Sequence, residues 1–237
     1  MRELKQDWRD IFCSFGIALD PKKMLLGFVA TTMSILAFVV FVAAGQKMGM
    51  LDSVTSRKLC DMLAQRPTEG IPAMIGLARQ VFGNGVDARE VLFLIVAGVL
   101  LLAWWSIFAG AISRIAAVEF AKDERIDLRE SIAFTAKKFW SYLFSPIVPL
   151  IGIVLFMVCN NFGGLIGRIP HLGPILVGLG LPLALLAGFI LTLLTIGLVF
   201  GLPLMFPTIS AEGTDAFDAI SRAYSYVYSR PLSLIHI

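Results

Sequence analysis

Charge is scarce in this sequence. Asp, Glu, Lys and Arg make up only 16% of its 237 residues, where a soluble domain carries about 25%. A chain so poor in charge cannot clothe an ordinary water-facing surface, and a hydrophobic content of 57% points to another solvent. Histidine is nearly missing, with only His171 and His236. Cys13, Cys60 and Cys159 stand far apart, without a C-x-x-C or a Cys/His pair at ligand spacing; neither a disulfide framework nor a zinc site is suggested. The formal net charge is only +3. The basic residues are spread among loops rather than massed in a block, so nucleic acid is not expected as a partner. H-E-x-x-H, G-x-S-x-G, Walker, EF-hand and G-x-G-x-x-G patterns are all missing, and no catalytic residue, cofactor or metal is expected.

Long apolar runs are what the sequence does have. A helix needs about 20 apolar residues to cross ~30 Å of hydrocarbon. Four runs qualify, at about 24–44, 91–112, 146–164 and 180–206, the last lying within the stretch Pro174 to Phe206 that Pro207 closes. The first is not read as a signal peptide, although Val42-Ala43-Ala44 resembles a cleavage site. Its apolar core exceeds the ~7–15 residues of a signal, and the segment before it carries both signs of charge. The expected fold class is therefore all-α, a polytopic transmembrane helical bundle forming one membrane domain over residues 1–237.

Basic residues favour the cytoplasmic side. An N-terminus inside leaves residues 45–90 and 165–173 outside. The inside segments then hold 13 Lys and Arg against 7 outside, which supports a multi-pass protein of the inner (plasma) membrane with a cytoplasmic N-terminus. The external loop 45–90 contains helix-compatible stretches at 56–64 and 72–82, expected to lie on the bundle or in the headgroup layer.

One short signal opens each inside segment: Asp7-Trp8-Arg9-Asp10, Asp127-Leu128-Arg129-Glu130 and Asp215-Ala216-Phe217-Asp218. An Asp N-cap with an acid three residues on satisfies free backbone N–H groups and suits the positive end of the helix dipole. Between the second and third copies the match extends without a gap from Glu124/Glu212 to Ile132/Ile220. Amphipathic interfacial helices are expected at about 7–20, 127–145 and 215–230. Leu128, Ile132, Phe139 and Leu143 should form the apolar face of the second, and Phe217, Ile220, Tyr224 and Tyr228 that of the third. The unit would be an inner interfacial helix, a span out, an external connection and a span back, giving parallel internal repeats. On that reading the third unit is cut short before a fifth span. The ending Leu232-Ser233-Leu234-Ile235-His236-Ile237 resembles a translated sequencing adapter, and His236 carries no part of the argument.

Candidate functional residues are few. Gly163-x-x-x-Gly167 and Gly197-x-x-x-Gly201 place small residues one turn apart, a spacing that lets helices approach closely. Gly178, Gly180, Pro182 and Pro203 would break a helix around a substrate in a transporter, or merely accommodate a tilted one. Glu119, Asn160 and Asn161 are the notable polar groups near membrane depth; Lys122, at i+3, is the expected partner of Glu119. Trp104 and Trp105 fall in mid-span, where helix packing is the expected use. His171, in the short external loop, has no carboxylate or nucleophile nearby in sequence and reads as loop surface.

The alternation of spans with these helix openings resembles the membrane domain attached to some glycerophosphodiester phosphodiesterases, in which segments like Asp215-Ala216-Phe217-Asp218-Ala219-Ile220 recur before a span. The similarity covers about 20 residues in each of two places and includes no catalytic motif. The soluble phosphodiesterase domain of such proteins is not among these residues, so the resemblance implies a membrane domain and no enzymatic activity. The expected function is that of a non-enzymatic scaffold or complex subunit, in contact with the bilayer, with anionic lipids at its inner face, and with membrane-protein partners or further copies of itself. The alternative is a permease-like transport component, which calls for a polar cavity near Asn160 and Asn161.

Overall fold

The computed structural model describes residues 15–64, 87–122 and 124–229. Among them every regular element is a helix: α1 Pro21–Lys47, α2 Ser53–Ala64, α3 Ala88–Lys122, α4 Leu128–Lys137, α5 Phe139–Ile166, α6 Gly173–Glu212 and α7 Ala216–Ser229. α1, α3, α5 and α6 are long and apolar enough to cross a membrane. At ~1.5 Å per residue their lengths are about 40, 52, 42 and 60 Å, against ~30 Å of hydrocarbon. The chain is an all-α membrane protein. The expected loop helix at 72–82 and most of the expected helix at 7–20 lie outside the described residues; residues 15–18 are helical.

The chain divides into two compact units, Met24–Trp105 and the remainder, Met1–Lys23 with Ser106–Ile237. In the first, α1 ends in a turn through Gly49 (φ 66°), and the N–H of Met50 donates to the Gly45 carbonyl at 2.9 Å. That reversal folds Leu51 and Leu59 onto Val42, with Phe38, Phe93 and Leu94 around them. The indole N–H of Trp104 donates to the Ala30 carbonyl at 3.2 Å, joining α3 to α1.

The second unit is built from the C-terminal part of α3 and from α4 to α7. Asp127 caps α4, its carboxylate accepting the Leu128 N–H at 2.9 Å. The expected single helix over 127–145 breaks at Lys138 (φ −102°, ψ 14°), and residues from Phe139 belong to the span helix α5. That helix therefore begins before Pro146 and contains both Pro146 and Pro149. Pro146 has no N–H for the Tyr142 carbonyl; the Ser145 hydroxyl donates to that oxygen instead, at 3.1 Å, which is how a membrane helix accommodates proline. α5 and α6 form an antiparallel hairpin closed by the turn at residues 167–172, where His171 is left-handed (φ 68°). α6 ends at Gly213 (φ 69°), whose N–H donates to the Ile209 carbonyl at 2.8 Å. α7 then runs back along α6.

Neither amphipathic helix buries its expected apolar face as a whole, and small or hydroxyl-bearing residues go deepest. On α4 the buried residues are Ser131 and Thr135, while Ile132 is 40% exposed. On α7 they are Ala216, Ala219, Ala223 and Val227, while Phe217 is 73% exposed. An apolar face gains nothing by leaving lipid, so close packing of small and hydroxyl-bearing residues decides which side goes in. The gapless match of Glu124 to Glu212 also changes meaning, because Glu212 ends a helix and Glu124 lies in the connector after one.

Candidate functional site at the helix junction

The densest polar cluster lies where α3, α4, α5 and α6 meet, and it begins with a glycine. A Cβ at Gly110 would stand 2.6 Å from Thr135 Cγ2 and 3.2 Å from the Tyr142 ring. Only the missing side chain lets α4 and α5 approach α3 so closely. The Ser131 hydroxyl donates to the Ala111 carbonyl at 2.7 Å, and the Thr135 hydroxyl donates to the Ser131 carbonyl at 3.0 Å. The hydroxyls of Tyr142 and Ser210 share a hydrogen bond of 2.7 Å, and Ser210 Oγ also reaches the Gly110 carbonyl at 3.5 Å. Ser131, Thr135, Tyr142 and Ser210 are fully buried.

Arg114 completes the cluster. Its Nη1 donates to the Ser210 carbonyl at 2.5 Å, and its guanidinium lies 4.0 Å over the centre of the Phe134 ring. Ser210 is in the last turn of α6, where carbonyls lack intrahelical donors and the helix end is negative; a guanidinium satisfies both conditions. Phe206, Ile209 and Ala219 enclose the cluster with carbon. Its polar groups are spent on one another and on backbone carbonyls, so the arrangement fixes helices rather than presenting a reactive atom.

Glu119 is held by Lys23, not by Lys122. The Lys23 Nζ lies 2.5 Å from Glu119 Oε2 and donates also to the Ile17 carbonyl at 2.5 Å, with the two side chains 4% and 13% exposed. At i+3 Lys122 was the nearest cation in sequence, but the pair that forms joins residues far apart in the chain and ties the first turn of α1 to the C-terminal end of α3.

The two glycine pairs separate in use. At Gly197 a Cβ would stand 2.2 Å from the Tyr224 ring, and at Gly201 it would touch Ala223 and Val227 at 3.4 and 3.8 Å. Gly197 and Gly201 thus form the socket for α7. The Tyr224 hydroxyl donates to the Leu194 carbonyl at 2.8 Å and the Tyr228 hydroxyl to that of Leu193. Burial raises both phenols, Tyr224 to about 12. Gly167 is packed against Val177 at 3.0 Å, whereas Gly163 has nothing within 4 Å.

Asn160 and Asn161 are exposed and diverge: the Asn161 amide donates to the Met157 carbonyl at 3.2 Å, while Asn160 lines a groove of about 750 Å³ between α5 and α6. The junction of Arg114, Tyr142 and Ser210 was not singled out from sequence. The one available signal was an arginine immediately after an apolar run, together with a serine and a tyrosine in two others.

The fold and this junction define a polytopic helical membrane protein with a hydrogen-bonded core at one end of its hairpin. No protein-family model, curated protein or solved structure matches the chain.

Proposed function

We propose that this protein is a non-enzymatic scaffold or complex subunit of the inner (plasma) membrane, with its N-terminus in the cytoplasm. The observation that carries this reading is the distribution of polarity in the second unit. The hydroxyls of Ser131, Thr135, Tyr142 and Ser210 and the guanidinium of Arg114 are turned into the junction and used there, while the outer half of α6 presents carbon on several sides, with Leu179 76% and Leu183 71% exposed. Faces of that kind are covered by lipid or by protein. Exposed Arg129 and Lys137 on α4 suit anionic lipid headgroups at the inner face. The likeness of residues 215–220 to the membrane domain of glycerophosphodiester phosphodiesterases agrees with an accessory role for a membrane domain, and parallel repeats would place α4 and α7 on one side.

The test is assembly in the native membrane. Cysteine introduced at Leu179 or Leu183 in a background lacking native cysteines should cross-link to a second copy or to a defined membrane protein. A chain that stays monomeric and uncross-linked at both positions overturns the scaffold reading.

The groove beside Asn160 favours a second reading, a permease-like transport component. Reconstituted vesicles would show solute flux that Asn160→Leu abolishes; tight vesicles with wild-type protein remove that reading.

A further inference from the structure

The hairpin of α5 and α6 touches closely at two levels and gapes between them. At the turn end, a Cβ on Gly167 would lie 3.0 Å from Val177; nearer the helix middle, a Cβ on Gly152 would lie 3.3 Å from Leu194. Between these contacts lies the groove of about 750 Å³, within the ~300–1,000 Å³ of sites that hold a small-molecule ligand. Glycine keeps it open. At Gly163, Gly164 and Gly180 an added Cβ would meet nothing within 4 Å, so these residues are not small because a neighbouring helix presses on them.

Its walls are hydrocarbon, from residues such as Phe156, Phe162 and Leu183, with Asn160 and Cys159 alone bringing side-chain polarity. The Asn160 carboxamide makes no hydrogen bond to another described residue. An amide that faces lipid without a partner is costly, and the acceptor a glycerophospholipid brings near the end of a span is its ester carbonyl. The groove opens sideways onto the exposed apolar face that carries Leu183 and Leu186, and is therefore continuous with the lipid-facing surface. Being closed at both ends by direct contact of α5 with α6, it takes a flexible chain along its length but not a third helix, whose backbone needs a continuous seam.

From this geometry we infer that the groove binds one acyl chain of a glycerophospholipid, drawn from the leaflet on the side of the 167–172 turn. Asn160 donates its amide to an ester carbonyl of that lipid. The inference rests only on the membrane assignment and is independent of whether the protein is a scaffold or a transporter.

The experiment uses the full chain purified in mild detergent, with retained phospholipid measured per protein by extraction and mass spectrometry. Wild type should retain near-stoichiometric phospholipid. Gly180→Leu, whose side chain enters open space, should retain several-fold less at unchanged helicity, and Asn160→Ala should lose lipid at lower detergent than wild type. A second measurement needs no cavity filling. Tryptophan at Leu183, in the groove wall, should stay quenched by acyl-brominated phospholipid after dilution into detergent, whereas tryptophan at the exposed Leu185 should recover. Equal retention by wild type and Gly180→Leu, or equal recovery at both tryptophans, overturns the inference. So does a dimer that Gly180→Leu dissociates without any change in lipid, since the occupant is then a second copy. Loss of cross-linking at Leu179 with lipid retained would instead count against the scaffold alone.

Discussion

The hydroxyl of Tyr142, on α5, lies 2.7 Å from that of Ser210, on α6, and both residues are inaccessible to solvent. This bond sets the level at which the two arms of the hairpin meet the C-terminal half of α3 at Gly110. Tyr142→Phe keeps the ring against Phe206, whose centroid is 5.4 Å away, and removes only the hydroxyl. Ser210 then keeps the longer contact to Gly110. The expected loss is about 1–2 kcal/mol, the range for a buried hydrogen bond whose partner is left weakly paired. Reversible unfolding in mixed micelles, compared with wild type, measures it.

Arg114 does more than Tyr142, because it caps the end of α6 and covers an aromatic ring at once. Arg114→Met should cost about 2–3 kcal/mol, through the lost charged hydrogen bond and cation–π contact. Arg114→Lys should recover only part of this, since an ammonium lacks the planar fork that suits the ring and the carbonyl together. The same unfolding assay ranks the three proteins. Equal stability of the Met and Lys variants would remove charge from the account.

Lys23 and Glu119 form a buried ion pair, and such pairs behave asymmetrically. Removing one partner leaves an uncompensated charge and costs about 3–5 kcal/mol, whereas replacing both with apolar residues is often close to neutral. Lys23→Met and Glu119→Leu should therefore each destabilise strongly, and the double variant should be more stable than either. A double-mutant cycle checks this. Additive losses would mean that the two groups do not interact in the folded protein.

How far the sequence foretold this architecture depended on the kind of signal. The spans were legible because length and hydropathy alone decide them, and Asp127 was legible as a cap because capping is local. The inward faces of α4 and α7 were not. Hydrophobic periodicity assumes that apolar side chains turn inward, which holds in water and fails in lipid, so Ser131 and Ala219 went in while Ile132 and Phe217 stayed out. Glu119 paired with Lys23 rather than Lys122 because tertiary approach outranked sequence distance. Gly197 and Gly163 look alike as sequence, and only the presence of α7 beside one of them separates their roles.

Tyr224 offers a spectroscopic handle on α7. Burial raises its phenol from the ordinary 10.0 to about 12. The folded value lies above the unfolded one, so the contribution of the neutral phenol is fully present below pH 10 and is lost as pH rises through about 12. Alkaline titration followed by phenolate absorbance should show a late-ionising component that disappears in Tyr224→Phe. Titration of Tyr224 at its ordinary value would mean that α7 is not seated against Leu194.

The two glycine pairs make a paired prediction. Gly197→Ala places a methyl group where the Tyr224 ring now lies, a clash relieved only by moving an aromatic side chain held by its own hydrogen bond. It should cost about 1–3 kcal/mol, as overpacking does, and should shift Tyr224 ionisation toward the ordinary value. Gly163→Ala meets open space. It should be neutral or stabilising by up to about 1 kcal/mol, from the better helix propensity of alanine. Denaturation midpoints and Tyr224 titration of both variants, taken together, test whether close packing at Gly197, and not the G-x-x-x-G spacing itself, holds α7 to α6. Similar losses in both would give that role to the spacing, whereas a loss at Gly197 alone assigns it to the socket.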